Sequence, residues 1–348
     1  MRALTVTPGV ADSARVEDFD APRPRADQLL VCARALGVCG TDREIVDGDY
    51  GAAPPGHERL ILGHESLGVV ESATPGSGFE RGDVVVGIVR HPDPLPCTSC
   101  AAGEWDMCRN GNYTEHGIKG RHGFGAEYYV LDVDHAVRVD PSLGIAAVLL
   151  EPASVLAKAW QHVERIGARA VWNPETVLVT GAGPVGLLAA LLGVQRGLDV
   201  HVLDHAEDGP KPELARDLGA TFHNGSIDDI GLRPDIVLEC TGAPALVVDV
   251  MGRNAAGGIV CLAGLSPGRR NVSVDIAGLN RTMVLENDVV FGTVNANRGH
   301  YEAAAQALAQ ADPAWLDRMI TRRLPLARFA EALEKRKHDV KTVIDFDA

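Results

Sequence analysis

The stretch TVLVTGAGPVG, Thr176 to Gly186, constrains this chain more than any other. TVLVT is a continuous apolar, β-branched run, as a strand buried on both faces requires. Gly181, Gly183 and Gly186 follow at once in G-x-G-x-x-G spacing, and the small-residue run Leu187–Gln195 reads as a helix. Pro184 falls near the helix start, where its missing N–H costs nothing. A glycine turn alone would mean only a tight connection. Set between strand and helix, these glycines let the backbone approach a pyrophosphate held at the helix N-terminus. The next strand, DVHVL, ends in Asp204, where an acidic residue can hydrogen-bond the adenosine ribose hydroxyls and repel a 2′-phosphate. No Arg or Lys follows until Lys211, so NAD is favoured. NADP stays open, because His205 or a basic residue from elsewhere could reach a phosphate.

The same strand–helix alternation runs from Glu175 to about Asn295. A helix over Pro212–Leu218 is closed by Gly219, and DIVLECTG, GGIVCLAG and DVVFGTV give further apolar strands. Such a pattern predicts a doubly wound parallel sheet covered by helices on both faces. From Met1 to about Leu150 the chain is instead strand-rich and broken by Gly and Pro, as in LLVCARAL, GVVESA, DVVVGIV and EYYVLD. The tail, with the helix YEAAAQALAQA and then LPLARFAEALEKR, is expected to return to this first region.

A length of 348 residues suits about two domains. The formal net charge of -14 argues against nucleic acid and anionic membrane as partners. MRALTVTPGV reads as a strand entering a turn rather than a signal peptide, and no stretch is expected to span a membrane. The expectation is a soluble cytoplasmic protein. Seven cysteines without a secretion signal make a poor disulfide framework. Cys32, Cys240 and Cys261 lie in apolar runs and read as inert core. Cys39 and the group Cys97, Cys100 and Cys108 lie among Gly, Pro, Asp and Thr and need another explanation.

In LILGHESLGVV, Leu60 to Val70, an apolar run carries His64 and Glu65 side by side. A buried ionisable pair needs a partner or a metal. Cys39 in GVCGTD, His64, and Glu151 in LLEPAS supply a thiolate, an imidazole and a carboxylate, the donor set of a catalytic zinc. Other readings exist. Cys39 could be a small hydrophobe, His64 and Glu65 a hydrogen-bonded core pair, and Glu151 a helix cap.

GVCGTD, GHESLG and GAGPVG, in that order and at those intervals, resemble the zinc-dependent medium-chain alcohol dehydrogenase superfamily over essentially the whole chain. VCGTDRE, GEWDMC, TEHGI, LLEPASVLAKA and VNANRGHYE further resemble its glucose dehydrogenase branch. The resemblance implies an α/β fold with a β-rich, GroES-like catalytic domain from residues 1–152 and 297–348 and a Rossmann domain from 153–296. It implies zinc held by Cys39, His64 and Glu151, with Glu65 binding through water or replacing that water. Thr41 would begin a proton relay. Thr41, Glu115, Asn295 and Glu151 would meet the sugar, while Val185, His205, Thr241 and Asn295 join the glycines, Pro184 and Asp204 around the cofactor. Many polyol-oxidising relatives carry a His where this chain has Glu44, and the glucose branch also lacks it.

One departure stands out. The superfamily's structural zinc lobe has four cysteines, whereas this chain has C-x2-C-x7-C, with Pro94 at the first ligand position. Asp93, or else His91, would then complete the site, or the lobe has lost its metal. The implied reaction is hydride transfer from the C1 hydroxyl of an aldose, D-glucose first, to NAD(P)⁺. A polyol, cyclitol or aminocyclitol dehydrogenase is the nearest alternative, and a non-catalytic dinucleotide-binding protein the alternative of another class. The superfamily further implies a homodimer or homotetramer.

Overall fold

The computed structural model describes residues 1–266 and 271–348. The chain divides into two compact units, Met1–Ser154 with Asn295–Ala348, and Val155–Val294. The junctions at 154/155 and 294/295 compare with 152/153 and 296/297 in the sequence reading. Asn295 therefore belongs to the first unit, not to the second.

The second unit contains a six-stranded sheet. Its spatial order is Thr221–His223, Asp199–Leu203, Thr176–Thr180, Ile236–Glu239, Ile259–Leu262 and Val289–Gly292, all parallel. Val177 pairs with Val200 on one side and Ile236 on the other, so the strand order reverses at Thr176–Thr180. Ligands bind at the carboxyl end of such a switch point. Gly181 stands there with φ +90, a conformation that favours glycine. A Cβ on Gly186 would overlap the Gly181 carbonyl, so helix and turn approach this closely only without a side chain. The following helix, Pro184–Gln195, begins earlier than the apolar run suggested, with Pro184 in its first turn.

The first unit is built around the long strand Gln28–Val38. It pairs antiparallel with Glu65–Ser72, with Tyr128–Asp132 and with the C-terminal strand Lys341–Asp345. Leu36, Val31, Val70, Leu131 and Ile344 from these strands share one core with Leu4, Ile45 and Phe124. Gly37 lies opposite Glu65 on one side and Val343 on the other. A side chain there would strike the Glu65 carboxylate and come within 2.9 Å of Lys341 Cε. The bare backbone thus opens the space in which Glu65 and Lys341 meet.

The run Leu60–Val70 is not one strand. Leu60–Ile61 and Glu65–Ser72 are separate, with the break at Gly63, whose φ is +94. The turn turns His64 inward at the break. The expectation that no segment reaches membrane-spanning length also needs correction. Short helical turns over Pro141–Leu149 continue into the helix Leu150–Gly167, together long and apolar enough to cross a bilayer. An apolar stretch of 18 residues within Pro141–Gly167 is 78 % buried inside the fold, as for a core helix.

Candidate active site

Cys39 precedes the helix Gly40–Val46, and the Asp42 carboxylate accepts the Cys39 backbone N–H at 2.8 Å. The other Asp42 oxygen lies 3.3 Å from His64 Nδ1, with both side chains buried. A carboxylate on Nδ1 fixes the tautomer and leaves Nε2 for a metal. Donor atoms of Cys39, His64 and Glu65 all lie within 4.8 Å of one another. Burial works against a charged His64, yet Asp42 and Cys39 outweigh it and hold the imidazole well above its usual range. A place that attracts a proton so strongly also attracts a metal cation. The thiol, imidazole and carboxylate donors fit zinc.

Glu151 sits in the first turn of its helix and is 8 % exposed. Burial, with Glu65 and Asp42 nearby, pushes its carboxyl up to about 7 against the pull of His64 and Lys341. It faces the cluster electrostatically, but the structure groups Glu65, not Glu151, most tightly with Cys39 and His64. Lys341 is the addition that sequence reading missed. Its ammonium, fully buried, ion-pairs with Glu65 from the far end of the chain. Thr41 lies half-buried in the first turn of the helix after Cys39.

Glu115 and Asn295 are brought together. Asn295 Nδ2 donates to Glu115 Oε1 at 2.7 Å, and Arg90 donates twice to the same oxygen at 3.0 Å. All three residues are buried. Asn295 adopts φ +61, with its Oδ1 accepting the N–H of Ala296. Arg90 was not anticipated, and Asp42 was overlooked although it lies inside the GVCGTD motif.

In the second unit, Gly181, Asp204, His205 and Thr241 line one cavity of about 290 Å³ together with Ser226 and Asp249. Gly183, Pro184 and Val185 are half-buried at the helix start. The Asp204 carboxylate accepts N–H groups from Ala182 at 2.7 Å and Ala206 at 2.9 Å. Lys211 Nζ stands 3.6 Å from it, so the charge at Asp204 is partly balanced by the very lysine that sequence distance had set aside. Thr241 is tied through its N–H to the buried Glu239 at 2.8 Å.

All seven cysteines are free. Burial pushes the thiol of Cys261 up to about 12 and that of Cys240 well above its usual range, in keeping with inert residues, while Cys32 is half-buried. Cys97, Cys100 and Cys108 converge, with sulfurs within 4.8 Å of one another. Neither expected fourth ligand joins them. The Asp93 carboxylate is turned to its own loop, accepting from Leu95 N at 2.8 Å and Asn110 Nδ2 at 2.9 Å. His91 lies in a strand opposite Thr114, and its ring faces His116, His135 and Asp132 instead.

Residues 145–346 match the family described as glucose dehydrogenase C-terminus, and residues 25–141 match the alcohol dehydrogenase GroES-like domain. The chain is 40 % identical over 359 residues to a glucose 1-dehydrogenase of Methanocella arvoryzae, covering 100 % of both chains. It is 40 % identical over 352 residues to one from Thermoproteus tenax, covering 99 % of each. A Haloferax mediterranei glucose dehydrogenase solved with NADP, Zn and gluconolactone superposes with a TM-score of 0.91 at 30 % identity, covering 100 % of both chains. The chain belongs to the zinc-dependent medium-chain alcohol dehydrogenase superfamily, in its glucose dehydrogenase branch. It is an NAD(P)-dependent dehydrogenase of the sugar and alcohol class.

Proposed function

We propose that this chain is a glucose 1-dehydrogenase that oxidises the C1 hydroxyl of D-glucose to gluconolactone, with NAD⁺ preferred as hydride acceptor. The observation that carries the reading is the convergence of Cys39, His64 and Glu65 in the same unit as the buried Glu115–Asn295–Arg90 group. The glucose 1-dehydrogenases among its relatives support the substrate.

Cys39, His64 and Glu151 would hold the zinc, with Glu65 as the mobile fourth donor. Zinc, when bound, supplies Lewis acidity that makes the substrate hydroxyl more acidic. Asp42 keeps the His64 imidazole in the tautomer that this requires. Thr41 would accept the released proton while passing its own hydroxyl proton onward to solvent, as the first member of a relay. Glu115 receives its protein donors on Oε1, leaving Oε2 to accept a sugar hydroxyl. A site built to satisfy hydroxyls rejects analogues that lack them. This is why a sugar suits the group better than a simple alcohol.

Initial rates of nicotinamide reduction with saturating D-glucose, NAD⁺ and NADP⁺ in parallel, test the reading. A zinc-dependent rate, faster with NAD⁺, is expected. A folded, zinc-loaded protein that reduces neither cofactor with glucose would point to a polyol or cyclitol instead. Cofactor affinity without turnover on any of these substrates would favour the non-catalytic alternative.

Asp204 carries the cofactor preference in this proposal. Asp204→Ser removes the charge beside a 2′-phosphate and frees Lys211 to meet it. The ratio of kcat/KM for NADP⁺ to that for NAD⁺ is expected to rise by about 10- to 100-fold, roughly 1.4 to 2.8 kcal/mol. An unchanged ratio removes Asp204 from the specificity argument.

We propose that the chain self-associates through the edge of the six-stranded sheet, where Val289–Gly292 is the last strand. The neighbouring helix Ile276–Glu286 supports this, with Ile276, Val284 and Leu285 each 65 to 67 % exposed. Sedimentation is expected to give a dimer or tetramer; a monomer at micromolar concentration would end this proposal.

A further inference from the structure

A second polar cluster lies in the first unit, formed by His91, His116, His135 and Asp132, and the reaction above makes no use of it. Its hydrogen-bond directions can be worked out from one end. His116 Nδ1 lies 2.7 Å from the carbonyl oxygen of His122, so Nδ1 carries the proton. A neutral His116 then presents a bare Nε2, which lies 3.0 Å from His91 Nε2. The His91 nitrogen must donate. In a neutral His91, Nδ1 is then left with a lone pair, yet it faces Asp132 Oδ2 at 3.4 Å, a contact that a proton or a metal ion must bridge.

A lone pair against a carboxylate oxygen is repulsive unless a cation lies between them. His135 adds a further donor. Its ring stacks on His91, with centroids 3.7 Å apart and planes inclined by 12°, so it must rotate from the stack for both rings to aim a nitrogen at one ion, and no hydrogen bond holds it there. It is 9 % exposed, and neither ring nitrogen has a hydrogen-bond partner. One donor atom each from His91, Asp132 and His135 lie within 4.8 Å of one another.

We propose that His91, Asp132 and His135 form a binding site for a divalent transition-metal ion, Zn²⁺ or a close analogue, distinct from the Cys39 site and from the three-cysteine group. Two imidazoles and one carboxylate are a donor set that such ions take, with an open position for water. Donor atoms on a tetrahedral ion with bonds of about 2.0–2.1 Å stand roughly 3.3 Å apart, close to the His91–Asp132 separation. His116 acts as the outer partner that holds the His91 ring by its other nitrogen.

A route in is present. Asp132 and His135 line a surface cavity of about 480 Å³, and Asp27 and Asp134 add carboxylates to its wall. Competing cations are also present. Arg121 Nη1 lies 3.6 Å from Asp132 Oδ2, while Arg25 and Gln28 hold Oδ1. The Arg121 side chain is 36 % exposed and can turn to solvent when a metal takes that oxygen.

The test is metal content after equilibration of the whole protein with excess Zn²⁺ and gel filtration. Wild type is expected to retain roughly one equivalent more than either His135→Ala or Asp132→Asn. Equal content in wild type and a folded variant overturns the proposal and leaves a stacked polar core neutralised by Arg121. A measurement without variants stands beside it. In ¹⁵N-histidine spectra of chelator-treated wild type, Zn²⁺ should shift the His91 Nδ1 and His135 ring signals. Unmoved signals, while His64 responds, would overturn the site just as firmly.

Discussion

Cys39→Ala is expected to lower kcat/KM for glucose oxidation by at least about 10³-fold, while shifting the melting temperature by no more than a few degrees. Cys39 is half-buried at the end of a strand and fills no core volume that Ala would leave empty on the scale of a Leu or Phe. What it supplies is a sulfur within 4.8 Å of the His64 and Glu65 donor atoms. Lewis-acid assistance is worth several kcal/mol of transition-state stabilisation, and each 1.36 kcal/mol is about tenfold in rate. Losing the one thiolate among the four protein donors forfeits most of it.

Asp42→Asn should be milder, about 10- to 100-fold, because it disturbs only the orientation of His64 and the cap on the Cys39 N–H. Steady-state kinetics with zinc content on the same samples separate the two. A Cys39→Ala protein that has lost zinc but keeps its rate would sink the assignment. So would a chelated wild type that is not revived by Zn²⁺.

The parts of this site legible in the sequence are those that local geometry writes into adjacent residues. The turn after Thr180 needs Gly181 and Gly186 because backbone and helix touch there, and both the need and the pattern sit in one short stretch. The alternation of strands and helices likewise reports the parallel sheet, since each strand buried on both faces must be apolar throughout. His64 and Glu65 were visible because charge in an apolar run has no cheap local explanation.

What escaped is set by strand pairing between distant segments. Nothing near Lys341 says that its strand will lie beside Gly37, across from Glu65. His91 stands two residues from Asp93 and looked like a ligand for the nearby cysteines. Its position in a strand paired with Thr114 points its ring to His116 and Asp132 instead. Asn295 sat at an apparent domain boundary, and only the contact with Glu115 shows which unit it serves. The apolar segment over Pro141–Gly167 was underestimated because Glu151, Lys158 and other polar residues punctuate its helical part, although the fold buries Glu151, Ser154 and Lys158.

The second large effect is predicted at Lys341. Cys39, Asp42, Glu65 and Glu151 gather acidic groups in one buried region, and Lys341 is the cation that the chain itself sets on Glu65. Lys341→Met keeps much of the side-chain volume but strands a buried carboxylate. Breaking one partner of such a pair costs about 3–5 kcal/mol. For a unit of this size that corresponds to a melting transition lower by roughly 10 °C. The loss should be larger in zinc-free than in zinc-loaded protein, because zinc offers Glu65 a second cation within reach. Adding Glu65→Gln to Lys341→Met should restore a good part of the loss, since a neutral amide no longer needs the ammonium. Calorimetry of wild type, single and double variants, each with and without Zn²⁺, reads all of this in one series. If Lys341→Met melts with wild type in both metal states, the ion pair contributes nothing. Gly37 would then be the opening for some other contact.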